Sequence, residues 1–196
     1  MLAADPAPPH WGGNASLYAW SAAVNMTNPS DAPLHPHWTF NYSYDWTLSA
    51  SRYDHAQGQH DEVCKMAVTP GDPCTVLNAL DGKLYLLGPS SCCRCDAPWA
   101  PFTIVPDWLA RSNATYEGST SVGGQEADEW LAYGASDNHY YASVDSSRKP
   151  LRYMEHKNGK LKQWDFSDWQ PVAPPRSVFV PPPGCDALCS AALCHS

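Results

Sequence analysis

The fold is decided by one alternating stretch of sequence, Trp38-Thr39-Phe40-Asn41-Tyr42-Ser43-Tyr44-Asp45-Trp46-Thr47-Leu48-Ser49. Large apolar residues occupy its even positions, and polar residues occupy its odd positions. Successive side chains of a β-strand point to opposite faces, so the large side chains would all line one side of a sheet. A helix would spread the same residues around its circumference. The stretch therefore predicts a strand with one aromatic face that looks into a dry interior.

Two turn signals predict hairpins. Asn158-Gly159 is the pair that type I′ turns prefer, and folding the chain there sets Tyr153 opposite Trp164. The same register aligns two pairs of opposite charge, Glu155 with Lys162 and Arg152 with Asp165. Each such cross-strand pair contributes about 0.2–1 kcal/mol, which disfavours a slip in register.

The remaining local signals favour more strands. Asp81-Gly82 predicts a second hairpin, with Leu77 opposite Leu86. Two short strands are expected near residues 129–134 and 139–145, because each region follows a Gly- or Asn-containing break. No segment keeps a helical period over the length of an ordinary helix. The predicted class is therefore mainly β, with antiparallel pairing.

Prolines mark both ends of the chain. Because Pro fixes φ and removes an amide donor, residues 1–36 are expected to form an irregular N-terminal arm. A second proline-rich stretch, from Pro171 to Cys185, is expected to run extended over the surface as a C-terminal tail. Residues 37–196 are predicted to form a single disulfide-bonded β domain.

The cysteines indicate the compartment in which the chain folds. There are eight of them, at Cys64, Cys74, Cys92, Cys93, Cys95, Cys185, Cys189 and Cys194. Zinc sites favour C-x2–4-C pairs with partners at set distances, and Cys92-Cys93-Arg94-Cys95 fits that pattern poorly. Cys185 and Cys189 have a suitable spacing, but no second pair accompanies them. We therefore expect disulfides and an extracellular or secretory location, with a lysosome-like compartment as a variant of it.

Four N-x-S/T sequons also favour the secretory route, at Asn14, Asn25, Asn41 and Asn113. Charged residues make up only 16% of the chain, below the roughly 25% of ordinary domains, so attached glycan would help solubility. Chance occurrence of the sequons in a polar chain is the alternative. The first residues lack the charged and apolar regions of a signal peptide, so we expect that such a peptide has been removed.

Charge and hydropathy exclude several partners. The net charge is −8, and the longest basic run is Arg148-Lys149. Nucleic acids and anionic membranes both require a basic surface, so neither is expected as a partner. No run of about 18 apolar residues occurs, so no transmembrane helix is predicted.

No catalytic chemistry is indicated. The chain lacks G-x-S-x-G, H-E-x-x-H and the P-loop, and bridged cysteines leave no thiol nucleophile. His35 and His37 lie in the proline-rich arm, and His55 and His60 lie in a polar loop. In both places a solvated chain is a better interpretation than a metal site. We predict a protein that is not an enzyme and that has no catalytic or metal-binding residues.

A series of short motifs makes the chain resemble the ependymin-related family. In chain order they are Asp81-Gly82-Lys83-Leu84-Tyr85 before the Cys92–Cys95 cluster, Phe102, Pro106, Tyr116-x-Gly118, Val122-Gly123-Gly124, Trp130, and Val178-Phe179-Val180-Pro181-Pro182-Pro183-Gly184-Cys185. Cys194 resembles the family's last cysteine. Tyr44-Asp45-Trp46 and Pro106-Asp107-Trp108-Leu109 also resemble uncharacterised secreted plant members. Residues 1–36 have no counterpart.

The resemblance implies two stacked, curved antiparallel sheets around an apolar pocket, like the bacterial lipoprotein carriers. It implies a secreted or lysosomal glycoprotein that binds lipids or other hydrophobic ligands. No cofactor is expected, and calcium binding is suggested by the resemblance alone. It also implies that Cys93, or its neighbours Cys92 and Cys95, pairs with Cys185. Cys64 or Cys74 would then pair with Cys194, and at least one further bridge has no assigned partners.

The aromatic content provides the functional hypothesis. Nine Trp and ten Tyr suit the walls of a pocket, although they suit a packed core equally well. The predicted pocket residues are Trp38, Tyr42, Tyr44, Trp46, Tyr85, Trp130, Tyr153 and Trp164. They would bind or carry a lipid or another hydrophobic small molecule, with a homodimer as one expected form. The alternative is a carbohydrate-binding or extracellular-matrix module that stacks exposed Trp and Tyr rings on sugars.

Overall fold

The computed structural model describes residues 5–28, 38–61, 64–66, 68–95, 103–134, 136–190 and 194. These residues form eleven strands, one short helix and four 3-10 turns. The strands are β1 (Ala19–Thr27), β2 (Trp38–Asp45), β3 (Ala50–His55), β4 (Cys74–Asn78), β5 (Leu84–Leu87), β6 (Cys92–Cys95), β7 (Thr115–Val122), β8 (Gln125–Ala132), β9 (Asp137–Ser143), β10 (Pro150–Lys157) and β11 (Lys160–Gln170). Helix α1 is Trp108–Arg111, and the turns are Trp46–Leu48, Gly58–His60, Cys64–Met66 and Arg176–Phe179.

All eleven strands belong to one antiparallel sheet. Its order is β6-β5-β4-β3-β2-β1-β11-β10-β9-β8-β7. The sheet is curved, and it stays open because its edge strands β6 and β7 do not pair with each other. The prediction of a mainly β, curved antiparallel fold is confirmed. The two expected sheets are two halves of one continuous sheet.

Strand β1 joins these halves, because it pairs with β2 on one side and with β11 on the other. The expectation of an irregular arm over residues 1–36 is therefore wrong for residues 19–27. Trp20, Ala22 and Val24 are buried, whereas the residues between them are partly exposed. Ala and Ser occupy both buried and partly exposed positions of this strand, so the alternation is hard to recognise in the sequence. Residues 1–4 and 29–37 lie outside the described part of the chain.

Strand β2 keeps the predicted alternation only as far as Asp45. Its even residues from Trp38 to Tyr44 are buried, and Thr39 and Asn41 are exposed. The side chain of Asp45 then accepts hydrogen bonds from Thr47 Oγ1 at 2.6 Å and from the amide of Leu48 at 3.3 Å. These bonds turn the chain, and the predicted strand is wrong for Trp46 to Ser49.

The two predicted hairpins have different outcomes. Asn158 and Gly159 have φ of +53° and +72°, as a type I′ turn requires, and Tyr153 pairs with Trp164 as predicted. In the other hairpin, Leu77 pairs with Tyr85 rather than with Leu86. There the amide of Ala79 donates to Lys83 O, so the loop has three residues and ends at Gly82 with φ +76°. The longer loop shifts the register by one residue.

All eight cysteines form disulfides, as predicted. Cys64 pairs with Cys74, and three bridges join β6 to the tail: Cys92–Cys185, Cys93–Cys189 and Cys95–Cys194. The implied link between residues 92–95 and Cys185 is confirmed, with Cys92 as the partner. The implied pairing of Cys194 with Cys64 or Cys74 is wrong, because those two lie across a short loop with Cα atoms 6.0 Å apart and bridge locally.

Candidate functional site

One face of the sheet carries a nearly unbroken row of aromatic side chains. Directly paired residues on neighbouring antiparallel strands project from the same face. From β7 to β2 the row is Tyr116, Trp130, Tyr140, Tyr153, Trp164, Met26 and Trp38. A second row, from β11 to β3, is Phe166, Val24, Phe40 and His55. We call this side of the sheet the aromatic face.

One end of the aromatic face is closed by two loop segments. Trp11 is fully buried, and the ring of Trp108 in α1 packs against it with 6.2 Å between ring centroids. The amide of Trp11 donates to Pro106 O at 2.7 Å, which ties the two segments together. Tyr42, Tyr44 and Tyr140 are fully buried beneath them. We call this region the closed end.

A second region of the face is covered by disulfides. The cysteines of the Cys64–Cys74 and Cys95–Cys194 bridges pack against Val76, Leu84 and Leu86 on β4 and β5. Cys189 and Val68 lie at the margin of the same cluster. The face over β4 to β6 is therefore already occupied by the protein itself.

The third region keeps partly exposed aromatic rings. Trp164 lies at its centre, with ring centroids 5.3 Å from Phe40, 5.5 Å from Tyr153 and 6.4 Å from Tyr53. We define the open end as six residues: Met26, Trp38, Phe40, Tyr53, Tyr153 and Trp164. Trp38 and Phe40 are buried, whereas the other four are partly exposed. The open end is where an apolar molecule can contact the aromatic face.

The tyrosines of the face are neutral. Burial raises the pKa of Tyr53 to about 12, and it raises the pKa values of Tyr42, Tyr140 and Tyr153 above that of a free phenol. Tyr153 also donates its hydroxyl hydrogen to Asn138 Oδ1 at 2.6 Å. The phenols thus supply ring surface without charge, which suits an apolar ligand.

His55 is the ionisable side chain closest to Phe40, with 4.9 Å between the ring centroids. Burial lowers the pKa of His55, and the carboxylate of Asp61, 3.4 Å from Nε2, opposes this shift. The imidazole is therefore neutral at neutral pH, like the phenols around it.

The structure brings most of the predicted pocket residues together. Trp38, Tyr42, Tyr44, Trp130, Tyr153 and Trp164 all lie on the aromatic face. Only Trp38, Tyr153 and Trp164 belong to the open end, and the other three are packed core. Trp46 lies in the turn after β2 and packs, partly buried, at the margin of the same cluster.

Tyr85 is the predicted pocket residue that lies elsewhere. It pairs with Leu77, which pairs with Arg52, and this row projects from the opposite face of the sheet. There Tyr85 packs in a cluster with Phe179 of the tail, and its hydroxyl donates to Asp81 at 2.7 Å. The one-residue shift in the hairpin explains the error, because such a shift moves a side chain to the other face.

Sequence reasoning missed Trp11, Tyr53 and Phe166. Tyr53 and Phe166 sit on strands whose apolar positions alternate with charged residues, Arg52 and Asp54 in β3 and Asp165 in β11. That alternation is a detectable signal. Trp11 has no comparable local signal, because its position depends on contacts with distant strands.

The four sequons differ in how accessible they are. Asn41 is exposed on the polar face of β2, and Asn113 is exposed in the turn after α1. Asn14 donates from Nδ2 to Ser146 O at 3.3 Å and accepts from Ser16. The side-chain oxygen of Asn25 is buried in the middle of β1. Asn41 and Asn113 are therefore the accessible acceptors.

No fitting metal site occurs in the described ranges. The one candidate group there is Cys95, Cys189 and Cys194, and all three sulfurs are committed to disulfides. This group contains no carboxylate, the ligand that calcium prefers. His35 and His37 lie outside the described residues, as does the side chain of His60.

Comparisons with known proteins identify the fold. No family model and no curated protein matches the chain. An uncharacterized conserved protein from Thermus thermophilus has a similar structure, with TM-score 0.53, 10% identity, and coverage of 87% of this chain and 89% of that one. Lipoprotein LppX of Mycobacterium tuberculosis gives a TM-score of 0.45 at 13% identity, and the match covers 81% of this chain and 90% of LppX. A chain of the Pseudomonas aeruginosa MucA/MucB complex gives a TM-score of 0.45 at 14% identity. The match covers 88% of this chain and 59% of that one.

The first of these similarities shows the fold alone, because the sequences share so few residues. In the part of the chain that the structure describes, no helix has the length and apolar character needed to cross a membrane. Four disulfides are typical of proteins that fold in an oxidising compartment.

Proposed function

We propose that this protein is a secreted glycoprotein that binds or carries a lipid or another hydrophobic small molecule at the open end, and that it is not an enzyme. The observation that carries the proposal is the group of partly exposed aromatic rings that pack around Trp164 on the aromatic face. Trp and Tyr rings that are apolar but partly exposed suit the wall of a ligand site. The phenols of the open end and the neighbouring His55 are neutral.

The alternative of a sugar-binding module has less support. It requires a flat row of exposed aromatic rings. Within the described residues, Tyr18 and Tyr133 are the aromatic side chains with large exposure, and no tryptophan is among them. The tryptophans in the described part of the chain are instead buried or partly buried.

The resemblance to the ependymin-related family supports the same proposal through its short motifs. We also propose that Asn41 and Asn113 carry N-linked glycans, because both are exposed and neither side chain is buried in the sheet. A homodimer remains a prediction.

Native mass spectrometry of the protein secreted from its source tests the function directly. We expect a co-purified apolar molecule, and glycan mass that maps to Asn41 and Asn113. A 30-atom ligand at about −0.3 kcal/mol per heavy atom would bind with sub-micromolar affinity and would survive purification.

A variant pair locates the site. Trp164→Ala should weaken binding of an apolar fluorescent probe at least tenfold, because it removes the central ring of the open end. Tyr133→Ala is the control, since Tyr133 is 66% exposed and lies outside the aromatic cluster. Equal binding by the wild type and Trp164→Ala, with both folded, would refute the proposed site.

A further inference from the structure

We propose that Trp11 is the end wall of the ligand site and limits the length of the apolar chain that the site accepts. This inference rests on the carrier function proposed above. It assigns a specificity-determining role to a residue outside the strands.

Trp11 packs across five neighbouring strands of the aromatic face, from β9 to β2. Its side chain is 0% exposed, and its ring packs against rings from α1 and from five strands. These are Trp20, Tyr42, Trp108, Tyr140, Tyr153 and Phe166, at centroid distances of 5.5–6.4 Å. Because Trp11 is fully buried among these rings, solvent does not reach it.

The boundary between the closed and open ends runs through two of these partners. The ring of Tyr153 lies 5.6 Å from Trp11 and 5.5 Å from Trp164. The ring of Phe166 lies 6.0 Å from Trp11 and 6.5 Å from Trp164. A chain that lies along Trp164 toward the closed end therefore meets these two rings, and the indole of Trp11 supports them from behind.

Hydrogen bonds anchor both the ring and the backbone of Trp11. Nε1 of Trp11 donates to the hydroxyl of Tyr42 at 3.2 Å, and Trp11 O accepts from Nε1 of Trp20 at 3.1 Å. The next residue is bonded as well. The amide of Gly12 donates to the hydroxyl of Tyr140 at 3.0 Å, and Gly12 O accepts from Nε1 of Trp169 at 2.9 Å.

Trp11 also differs from its partners in one useful respect. Its backbone makes no strand pairing, so the register of the sheet does not depend on it. Replacement by Ala should leave the strands in place and extend the open end into the space of the lost indole.

The test uses straight-chain saturated fatty acids of even length, from eight to eighteen carbons, titrated calorimetrically into the full-length protein. In the wild type, affinity should rise about fourfold for each added methylene, which corresponds to about 0.8 kcal/mol per buried CH₂, and then level off. In Trp11→Ala, the rise should continue to longer chains. Trp11→Phe should give an intermediate limit.

Trp46→Ala is the matched control, because Trp46 also packs on the aromatic cluster but makes no ring contact with Trp11 in the described structure. It should keep the wild-type limit. The same limit in wild type, Trp11→Ala and Trp11→Phe would overturn the end-wall role while leaving the carrier function intact. Failure of the wild type to bind any of the acids would overturn both.

Free indole provides a readout that does not depend on fatty acids. It should raise the melting temperature of Trp11→Ala more than that of the wild type, because it refills the vacated space. It should also shorten the chain limit of Trp11→Ala back toward that of the wild type. If Trp11→Ala does not fold without indole, Trp11→Phe is used to test chain length. A fatty-acid length limit in Trp11→Phe equal to that of the wild type would then contradict the proposed role of Trp11.

Discussion

Gly12 shows how narrow the tolerance of the closed end is. Its φ is +91°, and a Cβ atom there would overlap the indole ring of Trp20. Gly71 has almost the same φ, +94°, but a Cβ there would meet nothing within 4 Å. The two glycines thus separate the cost of the backbone conformation from the cost of the steric clash.

We therefore predict that Gly71→Ala lowers the free energy of unfolding by about 1–2 kcal/mol, the cost of a left-handed backbone. Gly12→Ala should lower it by about 2–5 kcal/mol, because Trp20 must also move. Urea unfolding followed by tryptophan fluorescence measures both values. Equal losses would show that the contact between Gly12 and Trp20 is not tight in solution.

His55 gives the stability of the fold a predictable pH dependence. Burial lowers its pKa in the folded protein, so the unfolded chain binds a proton more readily. The neutral, buried His55 makes its full contribution to the free energy of unfolding above pH ~6.5, the pKa of a free histidine. This contribution is lost as the pH falls below that value. Stability measured between pH 7 and 5 should decrease, and His55→Gln should flatten this decrease.

The exposed His156 is the control for that measurement. His156→Gln should leave the slope between pH 7 and 5 unchanged. If the stability of His55→Gln changed with pH as steeply as that of the wild type, the pH dependence would come from other groups.

At the scale of the elements, the edge strand β6 is the most heavily cross-linked. Three disulfides join it to the tail, and the amide of Arg94 donates to Ala187 O while the amide of Cys189 donates to Arg94 O, each at 2.9 Å. The tail therefore covers an edge that would otherwise offer unpaired backbone groups to another chain.

These bridges should not contribute additively. The first one closes a loop of more than 90 residues, which is worth about 4.7 kcal/mol in the chain-entropy model. Once it is present, each further bridge closes a short ring and contributes roughly 2 kcal/mol. We expect Cys93→Ser with Cys189→Ser to be mildly destabilised, and removal of all three bridges to cost more and to cause aggregation. Urea unfolding and light scattering measure the two effects, and losses that scale with the number of bridges would contradict this.

The elements also show what the sequence can and cannot predict. The alternation in β2 and the turn at Asn158-Gly159 are local signals, and the strands they predict are present. The register at Asp81-Gly82 depends on whether the loop has two or three residues. An Asp-Gly pair is compatible with both loop lengths, so the sequence does not decide between them. Strand β1 was hidden because Ala and Ser fill half of its alternating positions, and partners far along the chain stabilise it.

The candidate site was predictable to a smaller extent. Six of the eight predicted pocket residues lie on the aromatic face, since the period of two fixes the face of a strand. Which part of that face remains open depends on Trp11, α1 and the disulfides. Their positions come from tertiary packing, and no local pattern encodes that packing.

At the scale of the whole molecule, stability depends on β1 as the link between the halves of the sheet. Ala23→Pro should prevent formation of folded, secreted protein, because proline in a central strand removes a ladder hydrogen bond. Ala173→Pro, in the exposed tail, is the control and should be secreted normally. Secretion yield and circular dichroism measure the effect. Normal yield of Ala23→Pro would contradict the central position of β1.

The pairing of β1 with β11 also sets the order of events during synthesis. Val24 lies beside Phe166, so a strand made near the start of translation waits for one made near its end. Contacts so distant in the chain raise the contact order, which slows folding. Until β11 emerges, β1 can pair with β2 along one edge only, and its other edge stays unpaired. Chaperone binding and disulfide isomerase activity should therefore determine the yield of this protein more than its final stability does.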